Sequence, residues 1–274
     1  MGLRIQNNVE AFNAHRNLTT VSSKASKAME KLSSGYRINR AADDAAGLAI
    51  SEKMRAQIGG IDQSQRNAQD GISLVQTAEG SLAEVHSMLQ RIRDLRVQFE
   101  NGTLSSEDKD AIATEIGQLA TEISDIGTQT KFNGTALLTG NPVTFQVGAA
   151  SGETVSTTAF ALSGASGASV VIAVSAATAS AQVSGLSLTQ IDDAIKNVST
   201  ARANFGAVQN RLEHRLNNLA TYQENLVASE SRIRDVDMAS EMVNFTKLQI
   251  LQQAGTSMLA QANQAPQGVL SLLR

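Results

Sequence analysis

With 274 residues, 42% of them hydrophobic and 18% charged, the chain is long enough for one or two domains and too apolar for a disordered tail. Cysteine is absent, which excludes disulfides, thiolate metal sites and cysteine nucleophiles. The net charge of −3 comes without any block of lysines and arginines, so the electrostatic footprint of a nucleic-acid binder is missing. Aromatic residues make up only 3%, with no Trp, so Leu, Ile, Val and Ala carry the apolar mass, a mix that favours long helices with small, regular interfaces.

The first residues, Met1 to Asn8, contain no apolar run of signal-peptide length, and Gln6 stands where a myristoylation site needs Ser or Thr. Ala14, Leu18, Val21, Ala25, Ala28 and Leu32 then recur at alternating steps of four and three, which places them on one stripe of a helix that Ser33-Ser34-Gly35 stops. Asp43 is the expected N-cap of a second, very long helix, with a stripe running Ala68, Ile72, Val75, Ala78, Leu82, Val85, Leu89, Ile92, Leu95 and Phe99. Gly59-Gly60 is expected to kink it, and Asn101-Gly102 to end it. Ser105 opens a third helix carrying Ile112, Ile116, Leu119, Ile123 and Ile126, which packs back on the second.

From Phe132 to Ile191 Glu153 is the only charged residue, while Gly, Ala, Ser and Thr surround short apolar pieces such as Val170-Val171-Ile172. This predicts hairpins and loops, with turns at Asn133-Gly134 and Asn141-Pro142. In so weakly charged a stretch, Ser156, Thr157, Thr158 and Ser169 are expected on the exterior, tolerant of insertion and open to glycosylation. Ile191, Val198, Phe205, Leu212, Leu219, Leu226 and Ile233 then hold one heptad position throughout. Its companions four residues on are mixed, Ile195 and Leu216 apolar but Arg202 polar, which suits a bundle better than a two-stranded rope. A last helix, from about 235 to 262, carries Val243, Phe245, Leu248, Ile250, Leu251, Ala254, Met258 and Leu259 around most of its circumference.

The fold class predicted is mainly α: a long antiparallel helical bundle or coiled coil with a small insert of β-hairpins. Residues 248–273 are uncharged and long enough to span a bilayer, yet Gln249, Gln252, Gln253, Gln261, Asn263, Gln264 and Gln267 would leave amides unpaired in hydrocarbon, so membrane insertion is not expected. The end helices have no evident partner except each other and further copies. The expected result is self-assembly through heterologous contacts that do not close, which generate a helical filament. The residues expected to carry it are the first stripe, Ala14 to Leu32 as named above, with Leu248, Leu251 and Met258. His15, His86 and His214 are scattered, Asp43-Asp44 suits helix capping, and Asp235 and Asp237 lack the further ligands of a calcium loop. No catalytic residue, metal or cofactor is therefore assigned.

Residues 32–60, LSSGYRINRAADDAAGLAISEKMRAQIGG, resemble the N-terminal block of bacterial flagellins almost residue for residue. Residues 231–274, with their ILQQAG and LAQANQ strings and closing leucines, resemble the C-terminal block. The likeness covers about 1–140 and 185–274. It departs from the family near the start, where Gln6 and Glu10 flank Asn7-Asn8. The resemblance implies an inner-core polymerisation domain of 1–42 with 235–274, whose terminal helices pair as a coiled coil in the polymer. It further implies an outer-core bundle of 43–140 with 185–234, and a short variable surface insert over 141–184.

The resemblance also implies a role as the subunit of the flagellar filament, the propeller for swimming. Such a subunit is exported unfolded through the flagellar secretion channel without a cleaved signal peptide, and is found outside the cell. The implied partners are further copies of itself, an export chaperone and the export apparatus, the filament cap and hook-filament junction proteins, and host flagellin-sensing receptors. In the family a Toll-like receptor docks on the stretch matching Gln90 to Leu95, where Arg91, Leu95 and Glu115 stand at the matching positions beside Arg93. Here Asp94 replaces Glu and Arg96 a small residue. Val269, Leu270, Leu272 and Leu273, otherwise a frayed apolar tail, match the flagellin end that immune receptors and the chaperone grip. The alternatives are a hook-associated junction protein sharing these end helices and a cytoplasmic coiled-coil scaffold, with an enzyme last.

Overall fold

A computed structural model describes residues 8–162, 183 and 185–272, with side chains through Gln264. The elements are α1 (Val9–Ser34), α2 (Ala45–Phe99), α3 (Ser106–Gln129), β1 (Lys131–Phe132), β2 (Thr135–Ala136), β3 (Thr144–Gln146), β4 (Thr154–Ser156), α4 (Leu188–Arg234) and α5 (Met238–Leu272). The protein is mainly α with hairpins between α3 and α4, as the periodicities predict. Its contacts divide it into two compact units, Met1–Ala56 with Asn225–Arg274 and Gln57–Glu224. Helices α2 and α4 contribute to both.

In the second unit α2 and α4 run antiparallel, because partners on α4 fall in number as those on α2 rise. Gln65 Nε2 donates to Gln223 Oε1 at 2.8 Å, Arg202 meets Glu79 at 3.7 Å, Arg93 meets Asp192 at 2.7 Å and Arg96 Nε donates to the Leu186 carbonyl at 2.8 Å. The predicted α2 stripe is buried from Ala68 to Phe99, with Ile72 only partly so. On α4 the heptad residues Ile191, Val198, Phe205, Leu212 and Leu219 are buried as well. Their fully covered companions lie three residues on, at Ala194, Ala201 and Val208, while Ile195 and Leu216 pack at the core's edge. The mixed row at the fourth position hides this buried row.

Helix α3 starts on a complete capping box: Ser105 Oγ accepts from the Asp108 N–H, and Asp108 returns to the Ser105 N–H. In its first turn Glu107 has its pKa lowered, first by its own backbone N–H and then by the Ser106 and Ser105 hydroxyls. Its buried face carries Ile112, Ile116 and Ile123 interleaved with Ala113, Gly117, Ala120 and Gly127. A Cβ on Gly127 would sit 3.1 Å from Leu162 Cδ2, so the chain after the hairpins closes directly on this helix.

Asn133 and Gly134, at φ of 48° and 82°, form the tight turn between β1 and β2 that Asn-Gly predicts, since a type I′ turn needs positive φ at both central residues. Strands β3 and β4 pair antiparallel with Phe145 opposite Val155, and both side chains enter the bundle core along with Leu137, Leu138, Val147 and Leu162. Helix α2 runs unbroken through Gly59 and Gly60, where the sequence leads us to expect a kink. Gly60 serves close approach, because a Cβ there would come within 2.9 Å of Ala149 Cβ. The apolar piece Val170-Val171-Ile172 lies outside the described residues.

In the first unit α1 begins on Asn8, whose side chain accepts from the Ala11 N–H, and ends on Gly35 at φ 76°. The expected N-cap of α2 is corrected by one residue. Asp44 Oδ1 accepts from the Gly47 N–H at 2.8 Å and caps the helix, whereas Asp43 Oδ2 accepts from Asn39 and Arg40 N–H and closes the preceding turn. The Arg40 N–H is the main reason the Asp43 carboxyl lies below the usual range; desolvation opposes it and the Asn39 N–H adds to it. That support exists while Asp43 is ionised and disappears as the pH falls through its lowered pKa.

The α1–α2 connection is tied to the end of α4 by backbone bonds, Arg37 N–H to Arg234 O at 2.7 Å and Val236 N–H to Gly35 O at 3.0 Å. Arg234 stacks over the Tyr36 ring at 4.9 Å and pairs with Glu52 at 2.6 Å. Asp237 Oδ1 accepts from the Ala239 and Ser240 N–H groups at 3.0 and 3.3 Å, so it caps α5.

Candidate assembly surface

Helices α1 and α5 lie antiparallel. Asn8 Nδ2 donates to the Ala262 carbonyl at 2.7 Å, Leu18 lies 3.2 Å from where a Cβ on Gly255 would stand, and Ala25, Ala28 and Leu248 form a small buried cluster backed by Val21 and Phe245. On α1 the covered residues are the predicted stripe, Ala14, Leu18, Val21, Ala25, Ala28 and Leu32. On α5 the covered row is Phe245, Leu248, Gln252, Gly255, Leu259 and Ala262, at steps of three and four. Leu251 and Met258, named with Leu248 from the sequence, therefore face away from α1 and stand 44% and 66% exposed. Leu270 and Leu272 have no described side chains, and Leu273 lies outside the described residues.

Further apolar side chains remain uncovered on the outer sides of both helices. Phe12 and Met29 on α1, and Met242, Val243 and Ile250 on α5, are all at least half exposed, Val243 at 72% and Phe12 at 69%. Met242, Val243, Thr246, Lys247, Ile250 and Leu251 line an open groove of about 490 Å³. Covering the exposed half of each such side chain returns roughly 1–2 kcal/mol. The all-round apolar character of the last helix carries this signal in the sequence. The outward positions of Phe12 and Met29 fall off the α1 stripe and were not singled out by it.

The outer candidates are placed as follows. Arg91 pairs with Glu115 at 2.7 Å and Arg93 with Asp192 at 2.7 Å, each at the bundle surface. Gln90 Nε2 lies 3.0 Å from His86 Nε2. Leu95 is only 2% exposed and belongs to the core, so a partner on the folded unit meets the arginines around it and not the leucine. Arg96 is buried at 6% exposure, bonded to the Leu186 carbonyl, paired with Glu100 at 3.0 Å and stacked on Phe99.

Among the expected exterior hydroxyls, Ser156 and Thr158 are exposed and Ser169 lies outside the described residues. Thr157 is corrected to an interior position. It is 6% exposed, its N–H donates to Val143 O at 2.9 Å, and its Oγ1 accepts from the Val143 N–H at 2.9 Å. The cause is the strand period of two, which turns Val155 and Thr157 inward between Ser156 and Thr158. Thr157→Val should cost about 1 kcal/mol by leaving the part-buried Val143 N–H without its acceptor. Thermal melting of the variant reads this directly, and a midpoint equal to the parent's would show that the hydroxyl is not holding that N–H.

Among the described residues no group of three or more His, Cys, Asp or Glu side chains is placed to hold a metal, and no helix is long and apolar enough to cross a membrane. His15 and His214 are exposed and His86 half-buried, far apart in the chain.

Comparison with known proteins follows the helices. Residues 5–142 match the bacterial flagellin N-terminal helical region, and residues 188–273 match the bacterial flagellin C-terminal helical region. The flagellin of Halalkalibacterium halodurans is 54% identical over 98% of this chain and 99% of its own length. The Bacillus subtilis flagellin is 47% identical over 99% and 100%, and the flagellar filament 33 kDa core protein of Treponema phagedenis 46% over 98% and 99%. With both terminal helical regions matched and near-complete coverage in each relative, the chain belongs to the bacterial flagellin family and is a structural subunit of the flagellar filament.

Proposed function

We propose that copies of this flagellin polymerise through the first unit, by the outward apolar face of the α1–α5 pair, and that the second unit is an outer bundle that folds by itself. In this reading 1–42 with 235–274 is the inner-core polymerisation domain, 43–140 with 185–234 the outer-core bundle and 141–184 the surface insert. The observation that carries it is the exposed row from Met242 to Met258, large apolar side chains left in water on a helix whose other face is already satisfied by α1. The filament works outside the cell as the propeller for swimming. Each subunit leaves unfolded through the flagellar secretion channel, with an export chaperone covering the apolar C-terminal helix until it assembles. Cap and hook-filament junction proteins meet the same kind of surface at the two ends of the polymer. A host receptor meets the half-exposed Arg91, Arg93 and Glu115 on free subunits.

Val243→Asp tests the assembly reading. The side chain is 72% exposed, so the substitution leaves the free subunit's melting within about 0.5 kcal/mol of the parent. In a packed interface an unpaired carboxylate costs several kcal/mol, and filaments seen by electron microscopy for the parent should be missing. Normal filaments from the variant would remove this face from the contact.

A further inference from the structure

In the second unit, the β3–β4 hairpin and α4 enclose an open groove of about 490 Å³ that continues into a second of about 400 Å³ toward Gln57 and Tyr222. One wall is the hairpin, with Val147, Glu153 and Val155. The other is a single face of α4, with Arg211, His214, Arg215 and Asn218 at i, i+3, i+4 and i+7. Arg215 is committed to the hairpin, pairing with Glu153 at 3.3 Å and donating to Val147 O at 3.4 Å. Arg211, His214 and Asn218 are exposed and make no hydrogen bond or ion pair among the described residues. Among the described residues Glu153 is the only carboxylate lining either stretch of the groove, so this lining carries an uncompensated positive face.

A matching negative row stands on α3. Gln118, Glu122 and Asp125 fall at i, i+4 and i+7 on one helix stripe, and both carboxylates are exposed with no ion pair among the described residues. Each row rises over seven residue steps of helix, about 10 Å. Laid antiparallel, Arg211 meets Asp125, His214 meets Glu122, and Asn218 meets Gln118, so acid faces base and amide faces amide along the whole length. Groove and row are different surfaces of the same unit. Their contact is heterologous and propagates from copy to copy instead of closing a dimer.

We propose that the α4–hairpin groove of one copy receives the Gln118–Asp125 row of α3 from a second copy. This inference rests on the filament reading above and adds a specific outer-unit contact to it. The charges set the register of neighbouring copies, while the apolar α1–α5 face supplies most of the affinity.

The test is a charge-swap cycle read as the critical concentration for polymerisation of the purified full chain, measured by sedimentation at low salt. Arg211→Glu and Asp125→Arg should each raise it about tenfold, because each places like charges opposite one another at the contact. The double variant should return to within about threefold of the parent, since the pair is restored with its signs exchanged. Both side chains are exposed and unpaired, so melting curves should match the parent and exclude misfolding. Single variants that polymerise like the parent, or a double variant no better than the worse single, would overturn the groove contact. A parent chain that forms no filaments would instead overturn the filament reading on which the proposal rests.

Discussion

Leu212→Asp is expected to unfold the second unit. Leu212 is fully buried on the heptad face of α4, and its Cδ1 lies 3.2 Å from where a Cβ on Gly71 would stand, in the same spot where Phe145 of the hairpin closes. Helix α2, helix α4 and the hairpin thus meet on one side chain. Removing buried leucine atoms costs about 3–5 kcal/mol by lost transfer energy and the cavity left behind. The carboxyl adds a few kcal/mol more, because it would be buried beside Phe145 in the apolar core. Together these are comparable with the whole stability of a typical domain, about 5–15 kcal/mol. Helical circular dichroism followed on heating should show the cooperative transition lost or displaced by tens of degrees, with no filaments formed. Arg211→Ala on the adjacent exposed position is the control and should leave the transition in place. A melting temperature unchanged by Leu212→Asp would mean that the α2–α4 register described above is wrong.

Deleting residues 248–274 should abolish filaments while sparing the second unit. The deletion removes Leu248 from its cluster with Ala25 and Ala28, and removes the helix turn that carries Gly255 against Leu18. Helix α1 then has an amphipathic stripe with little to cover it, and a lone amphipathic helix in water is marginal. The core of the second unit includes no residue from α1 or α5, so its own melting should persist. Sedimentation reads the loss of polymer, and circular dichroism reads the surviving transition. If the transition disappeared along with the polymer, the two units would be one cooperative structure and the proposed division would fail.

Much of this was legible in the residues alone. The α2 stripe from Ala68 to Phe99, the heptad from Ile191 to Leu219, the Ser105 cap and the Asn133-Gly134 turn follow from the sequence, because each depends on the spacing of near neighbours and a helix or turn has few ways to satisfy it. The self-assembling character of the ends was also present there, in an α5 too apolar to be covered by one partner. What only the tertiary structure decided were matters of register between distant segments. Asp44 caps α2 in place of Asp43 because the turn after Asn39 claims the first carboxylate. The tight α4 companions are Ala194, Ala201 and Val208, chosen by which flank of the helix α2 and α3 cover. Thr157 points inward because β4 pairs with β3 in one register, and a slip of one residue would have turned Ser156 and Thr158 inward instead. Arg91 and Glu115, 24 residues apart, and Arg93 and Asp192, 99 apart, become ion pairs only once the bundle has aligned its helices. A stripe fixes which side of a helix is buried; which segment buries it, and which apolar row of α5 remains in water, is settled by packing among elements that the chain keeps far apart.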